Sequence, residues 1–162
     1  MTRALPFVLY LFLMGLHVVV LSGVTAIYTA QINLAALLVL AVAVYKSELV
    51  ATWFGFAVGL VLASGSPDLV GWHVLWLAGL GLAAYHARER LNLDSLYARL
   101  LLIVGGVFLH NILILLTNGG VDFWYQLTAI ALPGAVYTAL PAWLFFLIKE
   151  GRITITKIKA LF

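Results

Sequence analysis

The chain has no cysteine among its 162 residues. That single absence removes disulfides, redox-active thiols and thiolate metal sites together. Charge is nearly as scarce: Asp, Glu, Lys and Arg make up 9% of the residues, against about 25% in a typical soluble domain. The middles of the apolar runs carry no Asp, Glu, Lys or Arg. Enzymes that work inside a bilayer keep such residues there in spite of the cost of burying them. No Ser-His-Asp set, His-Glu metal helix or glycine-rich phosphate loop stands in a supporting context. Sequence reasoning therefore assigns no catalytic, cofactor-binding or metal-binding residue, expects no cofactor, and reads the chain as non-enzymatic.

What is there is hydrophobic. Hydrophobic residues supply 65% of the chain, and its mean hydropathy is +1.13. Apolar runs separated by short polar breaks leave no room for a soluble domain, so residues 1–162 read as one polytopic, all-α integral membrane domain. Six transmembrane helices are predicted at about 5–25, 32–45, 49–63, 69–85, 97–116 and 124–148, followed by a basic tail, 149–162. Met1 to Arg3 and the apolar run behind them resemble a secretory leader, but the run to Ser22 is too long and lacks a cleavage pattern; it reads as a retained first span. The second segment, Leu34 to Tyr45, is short enough to predict a tilted, thin or partly re-entrant helix. His86 to Asp94 is predicted to be the longest polar link, with Asp94 or Ser95 capping the fifth helix.

Charge sets the orientation. With six spans, all nine basic residues (Arg3, Lys46, Arg88, Arg90, Arg99, Lys149, Arg152, Lys157 and Lys159) fall on one side. The other side holds Asp68 and Asp122 and no Lys or Arg. The positive-inside rule then places both termini in the cytoplasm. Five spans would scatter the basic residues over both faces. A pI near 9.3 could suggest nucleic acid, but with the positive charges at segment ends no nucleic-acid partner is expected. Tyr28, Trp72, Trp124 and Tyr125 near the outer ends, and Tyr45, Tyr85 and Tyr97 near the inner ends, fit interfacial aromatic belts.

Three patterns stand out within the spans. Ala51, Gly55, Gly59 and Ala63 recur every four residues and form a stripe of small side chains suited to close helix packing. Ser64 to Asp68 breaks that helix as a turn, and the run resumes through Gly71. The resulting hairpin is the element around which the other segments are expected to pack, with Ala51, Gly55, Gly59, Ala63 and Gly71 as its packing residues. On the fifth helix the intramembrane polar residues His110 and Asn111 lie near Gly106, Thr117 and Asn118, a stripe that must face protein or water. Interhelical hydrogen bonding is the leading reading of it, ahead of a ligand pocket. His17, Thr52, Tyr137 and Thr138 are further polar residues at depth, and His73 and His86 fall at helix ends expected to meet water. On the sixth helix Pro133, Tyr137 and Pro141 share a face, and the prolines imply a bend that could receive another protein's helix. The tail mixes basic and apolar residues, as a segment drawn to anionic lipid does.

The order of these features resembles the MreD family, small membrane subunits of the bacterial rod-shape machinery. The likeness rests on Asn33 and the apolar run behind it, the basic turn at Lys46, and Gly55-Phe-x-x-Gly59 with its Ser-Gly-Ser-Pro turn and Gly71. It continues through Tyr85 into Arg88 and Arg90, and ends with the segment from Pro133 to Trp143. Where many members carry an Asp just before the turn, this chain has Ala63, so that residue's role is not carried over to Asp68. The resemblance implies a non-enzymatic subunit that binds an MreC-like single-span protein and, through it, RodA, a penicillin-binding transpeptidase and MreB. It also implies a fold similar to the substrate-binding subunits (S components) of energy-coupling-factor transporters. A vitamin-like ligand-binding subunit is accordingly the alternative. The docking pair such subunits present on their first helix fits only Ala26 and Ala30 here, at the outer end.

Overall fold

The computed structural model describes residues 5–17, 31–65, 67–91, 93–117 and 122–150, and among these it contains helices and turns but no strand. The second half of the first predicted span, Arg3, Tyr28, the Ala26–Ala30 pair, Asn118 and the tail beyond Glu150 lie outside the described residues. Helix α1 is Leu5–Leu16, α2 Leu34–Tyr45 and α3 Glu48–Ala63. A 3₁₀ turn, Pro67–Leu69, leads into α4, Val70–Arg90, and then comes α5, Leu96–Thr117. The last helix has three pieces: α6 (Phe123–Gln126), a π-helical turn (Leu127–Ala131) and α7 (Leu132–Lys149). The stretches 67–90, 96–117 and 123–149 are long and apolar enough to cross a membrane, whereas α2 and α3 are shorter.

Two expectations about elements are corrected. The stretch His86 to Arg90, read as part of a loop, is the last turn of α4. Arg88 ties this turn to the bundle: its Nη1 donates to the carbonyls of Ala43, Val44 and Lys46 at 3.0–3.1 Å. Those are carbonyls that the end of α2 would otherwise leave without donors. The bundle is also not centred on the α3–α4 hairpin. Its centre is α2, which touches α1, α3, α4, α5 and α7, and every residue from Ala35 to Val44 is buried. The sequence Leu-Ala-Ala-Leu-Leu-Val-Leu-Ala-Val-Ala-Val is apolar on all sides, and a helix of that kind belongs inside. The hairpin, by contrast, leaves Trp53, Leu60 and Leu75 exposed.

The small residues of α3 let α4 lie against it. A Cβ on Gly55 would collide with the Leu77 carbonyl, and one on Gly59 would sit 2.6 Å from the Val74 Cα. From the other side, a Cβ on Gly81 would be 2.6 Å from the Ala51 carbonyl oxygen. Ala51 and Ala63 are buried. Gly71 does not belong to this contact: it is exposed, with nothing within 4 Å of a Cβ there, because the first turn of α4 leaves α3 on that side. Gly106 of α5 makes room for Leu40 of α2 in the same way, with Leu40 Cδ2 2.7 Å from a Cβ.

One end of the bundle gathers the charge. Lys46 lies over the Phe7 ring and Lys149 over the Tyr45 ring, Arg88 closes α2, and Arg99 pairs with Glu150 at 2.6 Å. The opposite end is polar and, among the described residues, holds Asp68 and Asp122 but no Lys or Arg.

Candidate functional site

At that end, α2, α5 and the last helix meet around Asn33. Asn33 is the N-cap of α2, and its Oδ1 accepts from the Ala36 backbone N–H at 3.0 Å. This fixes the amide, since the oxygen is committed to the cap and the nitrogen must face away. Asn33 Nδ2 then lies 2.9 Å from His110 Nδ1 and donates to Asn111 Oδ1 at 2.7 Å. Asn111 in turn donates from Nδ2 to the Ala131 carbonyl at 3.1 Å. The Asn33 backbone N–H donates to Thr138 Oγ1 at 3.0 Å, and that hydroxyl donates to the Gly134 carbonyl at 2.7 Å. Gly134 lets the two backbones approach closely here: a Cβ would come 3.1 Å from the Gln31 carbonyl oxygen, a tight contact.

The network determines a tautomer. Asn33 Nδ2 is a donor, so His110 Nδ1 accepts, and the neutral ring carries its proton on Nε2. That Nε2 is buried and has no hydrogen-bond partner among the described residues, although His110 is only 3% exposed. His73 Nδ1 is in the same position. His73 was expected to meet water at a helix end; it is buried instead, because the second turn of α4 faces inward. His86, at the other end of α4, is exposed.

A cavity of about 660 Å³ opens beside the cluster. His17, His73, His110 and Asn111 line it together with apolar side chains from α1, α3 and α5, and its last wall is the π-helical turn through Ile130 and Ala131. Among the described residues no Asp, Glu, Lys or Arg lines it. The π turn is where the helix widens, with Leu132 N–H reaching back five residues to the Leu127 carbonyl. It directly precedes Pro133, whose ring would crowd the carbonyl of residue 129 in a regular α-turn. The predicted bend is thus a widened turn, and the Ala131 carbonyl at its end accepts from Asn111.

The sequence-predicted residues fall into three places. His110 and Asn111 join the cluster and line the cavity. Ala51, Gly55, Gly59 and Ala63 are spent on the α3–α4 contact, away from any cavity chemistry, and Gly71 stands outside it. Pro133, Tyr137 and Pro141 form a half-buried strip along α7. Thr52 bonds only its own helix, at the Glu48 carbonyl. Sequence reasoning missed Asn33 as the hub, although an Asn directly before an apolar run is an N-cap signal. It also missed His73 and Gly81. Among the described residues no group of three or more His, Asp or Glu side chains is placed to hold a metal ion. No family model, curated protein or solved structure matches the chain.

Proposed function

We propose that the chain is a non-enzymatic, multi-pass subunit of the bacterial rod-shape complex. On this reading it has six spans with both ends in the cytoplasm of a cell with a bacterial inner membrane. It docks an MreC-like single-span protein and so helps organise lateral peptidoglycan synthesis with RodA, a transpeptidase and MreB. The observation that carries the reading is where the small residues are used. The glycine stripe of α3 is consumed inside the chain by α4, which leaves the bent last helix, with Pro133, Tyr137 and Pro141 half-buried along it, as the surface for a partner helix. The gathering of Lys46, Arg88, Arg99 and Lys149 at one end supports the orientation.

The test is co-purification from detergent-solubilised membranes, with a photo-crosslinking amino acid in place of Tyr137. The expected product is a crosslink to a protein with one membrane span, and deletion of the gene is expected to turn rods into spheres. A monodisperse, partner-free protein whose deletion leaves cell shape unchanged overturns the reading. A second reading, a small-molecule-binding subunit of a membrane transporter, is favoured by the cavity beside His110 and Asn111.

A further inference from the structure

The cavity has a definite chemistry whichever assembly the chain belongs to. Its size falls within the 300–1,000 Å³ of small-molecule sites, and its described wall is apolar except at the polar cluster and at His17, Gln31 and His73. Asn33 is saturated by the α2 cap, His110 Nδ1 and Asn111 Oδ1, and Thr138 both accepts and donates. Two buried imidazole nitrogens of lining residues have no partner among the described residues, His73 Nδ1 and His110 Nε2, and the network fixes the second of them as an N–H donor. Leaving such a donor unmade costs about 1–3 kcal/mol, and native structures rarely tolerate it. With no Lys or Arg among the described residues of the wall, an anion would be buried uncompensated, which is still more costly. We infer that the cavity binds an uncharged molecule with an apolar body and a carbonyl-type oxygen, and that this oxygen accepts from His110 Nε2–H. The site takes no part in the partner contact proposed for α7, so its success or failure is separable from that reading. Two sources share this chemistry: the ester carbonyl of a lipid and a free apolar metabolite.

The test uses the full chain in detergent with benzophenone as probe, an uncharged ketone that inserts into nearby C–H bonds under ultraviolet light. Peptide mass spectrometry is expected to place its adducts on cavity residues such as Met14, Ile114 and Leu115. Dicyclohexyl ketone should suppress this labelling about tenfold better than dicyclohexylmethane, which keeps the rings and lacks the oxygen; tenfold is the value of one neutral hydrogen bond. His110→Leu should erase that tenfold preference. Because His110→Leu also removes an acceptor from Asn33, Ile114→Phe serves as the second variant. It narrows the cavity, leaves the cluster in place, and should abolish cavity labelling with Tm unchanged. Labelling confined to outward side chains such as Leu101 and Leu144, equal suppression by the two competitors, or a preference that survives His110→Leu each overturns the inference. Displacement of the probe by a lipid extract of the source membrane assigns the oxygen to a lipid, and displacement by an aqueous extract assigns it to a metabolite. Displacement by neither overturns the inference.

Discussion

Asn33 makes contacts to three other parts of the chain from one residue. Its oxygen caps α2, its amide nitrogen reaches His110 and Asn111, and its backbone N–H is held by Thr138. Removing the side chain costs the cap, about 1 kcal/mol, and two interhelical hydrogen bonds of about 0.6–1 kcal/mol each. Asn33→Leu is therefore expected to lower stability by about 2–3 kcal/mol, measured as a shift in an SDS unfolding titration. Thr52→Ala removes only a bond to its own helix at a half-exposed site and should change stability by less than about 0.5 kcal/mol. A titration in which the two variants are equal would count against Asn33 as the hub. His110 and Asn111 were legible in the sequence, because polar residues amid Leu and Ile must find partners. Asn33 was not, since its partners lie 77 and 78 residues away and only tertiary packing joins them.

At the scale of elements, the α3–α4 contact gives glycine substitutions opposite signs. Gly55→Val drives a branched side chain into the backbone of α4 at Leu77, and should destabilise by about 3 kcal/mol or more. Gly71→Ala places its methyl in open space within a helix. There the better helix propensity of Ala should raise stability by about 0.5–1 kcal/mol. The same unfolding titration reads both, and a loss at Gly71→Ala would reinstate that residue in the contact. The four-residue spacing in α3 was readable because small-residue stripes are local patterns. Gly81, which receives Ala51 from the other side, follows no such repeat and needed the fold. The central place of α2 was hidden for a related reason: a short, uniformly apolar helix has no polar face to show which way it turns. Its dependence on a neighbour is testable. Arg88→Ala takes the donor from three carbonyls and should cost about 2–4 kcal/mol, whereas Arg90→Ala, exposed in the same turn, should cost almost nothing.

On the scale of the whole molecule, polarity separates by end: among the described residues the guanidinium and ammonium groups gather at one, and the half-buried amides and buried imidazoles at the other. The absence of cysteine makes the proposed orientation directly measurable in intact cells. A cysteine introduced by Asp68→Cys should react with a membrane-impermeant maleimide, and one introduced by Arg90→Cys should react only after lysis; the reverse pattern would invert the protein. Helical class and the gathering of charge were legible because composition and charge order are properties of the chain. The cavity was not, because it is what remains between helices after they pack. The two caps on α2 bear on how the protein is made and sorted. Asn33 satisfies one end and Arg88 the other, so neither end has to reach water, and 12 residues spanning about 18 Å can sit at depth. Alone, such a segment is too short for the insertion machinery to hold in the bilayer. Joined to α3 through Lys46 and Ser47, it is expected to enter as half of a pair and to be retained by its neighbours. Lipid thickness, which sorts proteins among membranes through the length of their spans, then acts on α4, α5 and the last helix and has no direct hold on the helix at their centre.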